Sequence, residues 1–235
     1  MYNKVFYTDG QYTKSNPGFN VNESFRKVKA FIKLKDEINI YPEGYNILDL
    51  GCGSGGFLCS LSNDDLKLNK GLGIDINSDA INEASSSNLS KCSFEVRSFN
   101  DIIGFFDIIS IVHVLEHIES WSELFKTLKN HTNYIYISVP IEASVWMTIR
   151  KNTLLNQYQK YGHIHFFNEP FLLKILEDMG LKILKYDYTD EFLSFKGINA
   201  NLAKIPRLLL GHMSKRLTAN LLGGYCLNLF VTFEK

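Results

Sequence analysis

The sequence of 235 residues has no excess of charge and is poor in cysteine. It contains 25 Lys and Arg residues against 25 Asp and Glu residues, so its formal net charge at pH 7 is zero. Because a neutral chain has no overall attraction for polyanions, the balance favours a small-molecule partner and argues against nucleic acid. The four cysteines include no Cys-x-x-Cys pair, and the N-terminus has no secretory-signal layout. These two absences predict reduced thiols and a cytoplasmic location.

Long apolar runs are also missing. No run approaches the about 18 residues that a membrane-spanning helix needs, so no transmembrane segment is expected. The hydrophobic fraction of 45% is ordinary for a globular protein and sufficient for a core. We predict an N-terminal arm and helix over residues 1–39, with the arm itself in residues 1–21, and one larger domain over residues 40–235. Oligomeric state leaves no signal in the sequence.

Short apolar runs alternate with helical patterns from residue 46 onward. Such alternation is typical of βαβ units, in which helices cover both faces of a mostly parallel sheet. The sequence therefore predicts an α/β fold with a seven-stranded sheet. The predicted strands are 46–50, 71–75, 92–96, 106–112, 134–139, 181–188 and 225–234. The predicted helices between them include 55–61, 78–89, 120–128 and 168–179.

A glycine-rich turn, ILDLGCGSGGF at residues 47–57, joins the first of these strands to a helix. Glycines allow close approach of the backbone to a ligand, and a helix N-terminus offers unpaired N–H groups. Asp75 follows Gly51 by 24 residues and ends the next strand, where an acid can accept both hydroxyls of a ribose. Because the glycine spacing also fits the dinucleotide fingerprint, a nicotinamide- or flavin-dependent oxidoreductase remains an alternative.

Asp49 and the Gly-Cys-Gly core resemble the first motif of the class I methyltransferases that depend on S-adenosylmethionine. The resemblance covers roughly residues 40–190 and extends to the small-molecule branch that includes quinone and antibiotic O-methyltransferases. It continues through four later segments: GIDI at 73–76, FDII at 106–109, HVLEHI at 113–118 and GHIHFF at 162–167. The family's fold is a Rossmann-like α/β sheet, which agrees with the alternation described above.

The resemblance implies S-adenosylmethionine as cofactor and S-adenosylhomocysteine as product. The segment RSFND at residues 97–101 departs from the family's commoner Gly-Asp form, so the adenine contact stays open between Asn100 and Asp101. By position, the residues implied to bind the cofactor are Asp49, Gly51, Cys52, Gly53, Gly55, Asp75, Ile76, Asn100, Asp101 and His113.

HVLEH at residues 113–117 also matches a zinc-protease pattern, in which two histidines on one helical face bind the metal. These residues fall where a strand ends and a helix begins, so His113 and His117 need not share a face. We therefore expect no metal, and we expect Glu116 and His117 to bond nearby backbone at the start of the helix.

His163 and His165 alternate with apolar residues, so both imidazoles point to one side of an extended segment. Methyl transfer to a hydroxyl group needs a proton acceptor, and histidine serves near neutral pH. Both residues are candidate catalytic bases, with His163 ahead because Gly162 precedes it. Glu142 and Tyr161 are weaker candidates, expected on the solvated surface.

Residues 189–224 are predicted to be an insertion that covers the acceptor site, with an amphipathic helix over residues 206–222. Arg207, Lys215 and Arg216 on its basic side suggest an acceptor that carries a phosphate or a nucleotide. The predicted reaction is methylation of an oxygen, in second place a nitrogen, of a small metabolite such as a sugar, a sugar nucleotide, or a cell-surface or secondary-metabolite precursor. A protein that binds the cofactor without catalysis is a further alternative.

Overall fold

The structure, a computed structural model, describes residues 21–41, 43–194 and 197–234. The predicted arm over residues 1–21 lies outside this part of the chain except for its last residue. Seven strands form one sheet in the order β3-β2-β1-β4-β5-β7-β6. Strands β1 to β5 run parallel, and β7 is antiparallel to both β5 and β6. The strands are β1 Tyr45–Leu50, β2 Leu68–Asp75, β3 Cys92–Val96, β4 Phe106–Val112, β5 Thr132–Ile141, β6 Leu181–Thr189 and β7 Tyr225–Phe233.

Helices pack on both faces of this sheet, as the sequence predicts. The helices are α1 Val21–Glu37, α2 Gly56–Asp64, α3 Ser78–Ser85, α4 Trp121–Leu128, α5 Val145–Ile149, α6 Thr153–Tyr161, α7 Glu169–Asp178, α8 Ile198–Met213 and α9 Lys215–Leu222. Residues of α1 and α2 share one hydrophobic cluster with the sheet, and residues of α4 and α7 share the other. The α/β fold class and the seven-stranded, mostly parallel sheet are therefore confirmed.

The helix starts follow from local capping. The side chain of Ser120 accepts a hydrogen bond from the Glu123 N–H and begins α4, as its sequence predicts. Gly180, with a φ of 77°, follows α7 as the expected stop. Helices α5 and α6 were not predicted, because apolar side chains such as Val145 and Ile149 of α5 and Leu155 of α6 are exposed and give no buried periodic stripe.

The single helix predicted over residues 206–222 is wrong. Helix α8 begins earlier, continues through Pro206 and ends at Ser214, where the backbone is extended. The Ser214 side chain then caps α9 by accepting a hydrogen bond from the Leu217 N–H. The amphipathic pattern puts Leu210, Met213, Leu217 and Leu221 on one apolar face, but Met213 and Leu217 are 84% and 52% exposed, so this face is not buried as predicted.

The basic residues of this region form contacts within the protein. Arg207 is buried and donates hydrogen bonds to the carbonyl oxygens of Ala203 and Gly223. Lys215 lies 3.3 Å from the Asp190 carboxylate, and Arg216 lies 2.8 Å from Glu169. Because these charges already have protein partners, the structure gives no support to a phosphate-bearing or nucleotide-bearing acceptor. Among the described residues, no helix combines the length and apolarity needed to cross a bilayer.

A buried ion pair fastens α1 to the sheet. The Lys35 ammonium lies 3.1 Å from the Asp65 carboxylate, with side-chain exposures of 1% and 6%. The Tyr45 hydroxyl donates a hydrogen bond of 2.8 Å to the same carboxylate. Helix α1 carries Ser24 and Lys27 into the cavity described below, so this pair helps to position one wall of that cavity.

Replacement of Asp65 by alanine is expected to lower the free energy of unfolding by about 3 kcal/mol, because it leaves a buried ammonium without its buried partner. We place the effect at the lower end of the usual range because Asp36 remains 3.3 Å from Lys35. Urea unfolding measures the change. The matched control is Asp178→Ala, which removes the exposed partner of Lys174 and should leave the unfolding midpoint almost unchanged. Equal midpoints for the two variants would contradict this prediction.

Candidate active site

A cavity of about 1040 Å³ opens at the edge of the sheet where β1, β2, β4 and β5 end. Parallel strands place their carboxyl ends at one edge, and open α/β sheets bind ligands there. The cavity is lined both by the glycine-rich turn after β1 and by the segment that contains His163. Two regions that are more than 100 residues apart in the sequence therefore share one cavity.

The glycine-rich turn follows β1 and leads into α2. Gly51 and Gly53 have φ values of 70° and 52°, in the left-handed region that favours glycine. A Cβ atom on Gly51 would lie 2.4 Å from a methyl carbon of Val114, so a side chain there would clash. Gly51, Cys52 and Gly53 line the cavity, whereas Gly55 precedes α2 and packs near Phe94.

Asp75 ties the end of β2 to this turn. Its carboxylate accepts one hydrogen bond from the Gly53 N–H and one from the Asn77 N–H, each of 2.9 Å. Burial raises the pKa of Asp75 and outweighs the opposing effect of these backbone donors. Ile76, the next residue, also lines the cavity.

Asp49 lies below the turn near the end of β1. It is 2% exposed, and its carboxylate accepts a hydrogen bond of 2.7 Å from the Ser110 hydroxyl. Burial raises its pKa to about 7. The side chain therefore gives the floor of the cavity a carboxyl group that titrates near neutral pH.

The two candidates for the adenine contact separate in the structure. Both belong to a short 3-10 helix, Phe99–Asp101, after β3. Asn100 lines the cavity together with Phe99, whereas Asp101, which is exposed like Asn100, lies outside the lining. Of the pair, only Asn100 is brought to the cavity.

His113 ends β4 in an unusual backbone conformation. Its φ is 56°, which is uncommon for a residue with a side chain, and its N–H donates to the Ser138 carbonyl oxygen. The imidazole Nε2 lies 3.2 Å from the Cys226 sulfur, and burial holds the pKa of His113 well below its ordinary value. The side chain therefore lines the cavity as a neutral group.

His163 and Glu142 form a buried pair on another part of the wall. The His163 Nδ1 lies 2.7 Å from a carboxylate oxygen of Glu142, and the two residues are 8% and 6% exposed. The predicted surface location of Glu142 is therefore wrong. Burial disfavours the protonated form of His163, but the hydrogen bond to Glu142 and the charges of Glu116 and Glu142 raise its pKa overall.

An isolated parallel bridge between Ile141 and Phe167 brings this pair together. The N–H groups of Glu142 and Ala143 both donate to the Phe167 carbonyl oxygen, at 3.1 and 2.9 Å. The end of β5 is thereby held beside the segment that carries His163.

Glu116 and His117 lie in a 3-10 helix, Leu115–His117, against the same segment. His117 bonds backbone, as expected, but in a segment distant in the sequence rather than at the start of its own helix. The His117 Nδ1 bonds the carbonyl oxygen of Gly162, which is 45 residues away in the sequence. Neither carboxylate oxygen of the fully buried Glu116 accepts a hydrogen bond from another described residue. Burial raises the pKa of Glu116 to about 7 and lowers that of His117 to about 3.

His165 points elsewhere, although it alternates with His163. Its Nε2 donates a hydrogen bond of 2.9 Å to the Ile118 carbonyl oxygen, and its ring centroid lies 4.3 Å from that of Trp121. Burial lowers its pKa. His165 is not part of the cavity lining, whereas Tyr161 is.

Several residues that line the cavity were not predicted from the sequence. Glu191 and Cys226 reach the cavity beside His113, and Met147 and Arg150 come from the region of α5. Their chain segments carry no motif, and only the return of β7 beside β5 brings the last part of the chain to this edge.

Several solved structures share this fold. Magnesium protoporphyrin IX methyltransferase from Synechocystis PCC 6803, solved with bound SAH, is 16% identical with a TM-score of 0.62, and the match covers 99% of this chain and 98% of that one. The plantazolicin methyltransferase BpumL, solved with a monoazolic desmethylPZN analogue and SAH, is 20% identical with a TM-score of 0.63, and the match covers 100% of this chain and 94% of that one. A SAM-dependent methyltransferase from Archaeoglobus fulgidus is 22% identical with a TM-score of 0.56, covering 89% and 96%.

No curated protein sequence matches the chain. The sequence model of a family described as "Methyltransferase domain" matches residues 23–186, which is well over half of the chain. That range contains the glycine-rich turn, Asp75 and the segment with His163. The chain therefore belongs to the methyltransferase-domain family and is an enzyme of that kind.

Proposed function

We propose that this methyltransferase uses S-adenosylmethionine to methylate an oxygen atom of a small metabolite. The observation that carries the proposal is the composition of one cavity. It combines a glycine turn with an acid suited to a ribose and a buried histidine–carboxylate pair suited to a hydroxyl group. Its volume of about 1040 Å³ is at the upper end of ordinary ligand pockets, which agrees with a cofactor and an acceptor side by side.

The cofactor fits the residues around the glycine turn. Gly51, Cys52 and Gly53 would lie along its methionine part, because their lack of bulk lets a ligand approach the backbone. Asp75 would accept the two ribose hydroxyls, with its orientation already fixed by two backbone donors. Asn100 is the residue that we propose for the adenine contact, with Asp49, Ile76 and His113 completing the surroundings.

The bound cofactor supplies a methyl group on a positively charged sulfur. The acceptor oxygen forms a bond to this carbon as the carbon–sulfur bond breaks, the electron pair stays on sulfur, and the hydroxyl proton must leave. Alignment of the reacting atoms is the main task of the protein in such a displacement. We propose that His163, oriented by Glu142, acts at the acceptor hydroxyl and promotes loss of its proton. His165 lies outside the cavity lining, so we assign it no role at the acceptor.

Calorimetry with S-adenosylhomocysteine and with NAD tests the assignment of the cofactor. We expect binding of the first and no binding of the second. The opposite result would favour the oxidoreductase. Binding of S-adenosylhomocysteine without transfer of a labelled methyl group to any of a panel of hydroxylated metabolites would favour a binding protein without catalysis.

Asp75→Ala should weaken S-adenosylhomocysteine binding at least about tenfold, because charge-assisted hydrogen bonds contribute roughly 1.5–3 kcal/mol each. Isothermal calorimetry gives the dissociation constants. Asp101→Ala, which removes an exposed acid nearby, is the control and should leave affinity unchanged. A 2′-deoxyribose analogue separates ribose binding from damage to the turn, since Asp75→Ala should bind it and the normal ligand about equally. Unchanged affinity in Asp75→Ala would remove this residue from the site.

His163→Ala should lower turnover by about 10² to 10⁴ with cofactor affinity preserved, the range for a residue that assists proton transfer. His165→Ala is the matched control, two positions away and outside the cavity, and should keep nearly full activity. Mass spectrometry of labelled methyl incorporation measures both variants. Full activity of His163→Ala would mean that positioning alone accounts for the reaction.

A further inference from the structure

Three side chains on one wall of the cavity have the composition of a metal-binding site. Ligand atoms of Glu116, His117 and His163 all lie within 4.8 Å of one another. We infer that these residues bind one divalent transition metal ion, such as Zn²⁺, with coordination positions left open toward the cavity. Two imidazole nitrogens and one carboxylate are a known ligand set for catalytic Zn²⁺ and for Fe²⁺, whereas Mg²⁺ and Ca²⁺ prefer oxygen ligands.

The first support is the state of the Glu116 carboxylate. It is fully buried, and neither of its oxygens accepts a hydrogen bond from another described residue. A buried carboxylate with no hydrogen-bond donor is costly, and a bound cation would compensate its charge. The ion-pair contact given for Glu116 among the described residues is with His113, whose Nδ1 lies 3.7 Å from a carboxylate oxygen. Burial holds the pKa of His113 well below its ordinary value, so this contact supplies little positive charge.

The second support is the arrangement of hydrogen bonds behind the two imidazoles. In His163 the Nδ1 atom bonds the Glu142 carboxylate at 2.7 Å, and in His117 the Nδ1 atom bonds the Gly162 carbonyl oxygen at 3.2 Å. Histidines that bind metals almost always donate their other ring N–H to a carboxylate or a backbone carbonyl. Since Nδ1 is engaged in both rings, Nε2 is the nitrogen that would bind the ion.

The third support is that the main chain fixes the ligands relative to one another. The carbonyl oxygen of Glu116 accepts hydrogen bonds from the N–H groups of Ile164 and His165, at 3.0 and 3.2 Å. These bonds hold Ile164, the residue directly after His163, against Glu116. A metal site needs its ligands in place before the ion arrives, and this backbone contact provides that order.

This ligand set differs from the zinc-protease pattern in the sequence. His113 belongs to a second group, with Glu191 and Cys226, and the left-handed turn at His113 directs its Nε2 to the Cys226 sulfur. His163 takes the place that the pattern would give to His113. The expectation of no metal concerned the pattern of His113, Glu116 and His117, whereas the proposed site takes its third ligand, His163, from a distant segment.

The role of the ion rests on the proposed function. An acceptor hydroxyl bound to the ion becomes more acidic, because a bound cation stabilises the alkoxide that forms. The proton leaves to water, the oxygen forms its bond to the methyl carbon, and the carbon–sulfur electron pair stays on sulfur. His163 would then promote proton loss as a ligand to the ion, with Glu142 as a positioning residue behind it.

Calorimetric titration of the full chain with Zn²⁺, after removal of metals by a chelator, tests the proposal. We expect one tightly bound Zn²⁺ per chain and no binding of Mg²⁺ in the same buffer. Co²⁺ in place of Zn²⁺ should give the visible absorption of a nitrogen- and oxygen-coordinated ion. Thermal stability should also rise with Zn²⁺ concentration, because the ion binds only the folded chain.

The Zn²⁺ affinities of variants at the proposed ligands and at neighbouring residues test where the ion binds. Glu142→Gln should weaken Zn²⁺ binding by about 10- to 100-fold, as loss of an outer partner does, and Glu116→Gln and His163→Ala should weaken it more. His165→Ala and Cys226→Ser are controls that should keep full affinity, the second because it alters the other histidine group. Glu116→Gln preserves shape and removes a buried charge, so we expect it to fold at least as well as the parent without metal.

The outcomes separate this proposal from the proposed function. Absence of stoichiometric Zn²⁺ binding in the parent, or loss of that binding in Cys226→Ser with retention in Glu116→Gln, would overturn the site even if S-adenosylhomocysteine binds normally. Failure to bind S-adenosylhomocysteine together with intact Zn²⁺ binding would instead overturn the proposed function.

Discussion

Burial of negative charge at the carboxyl edge of the sheet is the constraint on which the rest of the site depends. Removal of a carboxylate from water is costly unless a partner compensates it. Asp49 is compensated by the Ser110 hydroxyl, Asp75 by backbone N–H groups and Glu142 by His163. Glu116 alone among these four has no hydrogen-bond donor from another described residue. Three of these carboxylates therefore have hydrogen-bond donors within the protein, whereas Glu116 is the one for which we propose a bound ion.

The sheet topology forms the edge at which the cavity opens and also supplies the wall on its far side. Parallel strands β1 to β5 bring their carboxyl ends to one side, and β7 returns antiparallel beside β5. That return places Cys226 behind His113 and adds β6 at the margin of the sheet. One end of the cavity is therefore built from local strand–turn–helix units, whereas the other depends on contacts between distant segments.

This difference explains how far the sequence could predict the structure. Strands and the glycine turn have local causes, namely apolar runs and glycines at positions where Gly51 and Gly53 need left-handed backbone. The pair of Glu142 and His163 arises from the bridge between Ile141 and Phe167, which leaves no periodic signal. Alternation placed His163 and His165 on one side, but the hydrogen bond from His165 to Ile118 turns that ring out of the cavity. Local patterns thus predicted the fold and the position of the glycine-rich turn, but not the contacts between distant segments that surround His163.

The negative charges of Glu116 and Glu142 determine which ligands the part of the cavity near His163 can bind. Glu116 and Glu142 both lie within the electrostatic reach of His163, and a proton on that imidazole would compensate one negative charge. A divalent ion held by Glu116, His117 and His163, as we propose, would compensate both carboxylates and leave each imidazole neutral. It would also leave the Glu142 hydrogen bond at Nδ1 intact, because the proposed ligand atom is Nε2. An acceptor hydroxyl that loses its proton becomes a negatively charged alkoxide, and the proposed ion would stabilise that charge. With the proposed ion bound, these buried carboxylates would form a wall suited to the negative charge that develops on the acceptor oxygen.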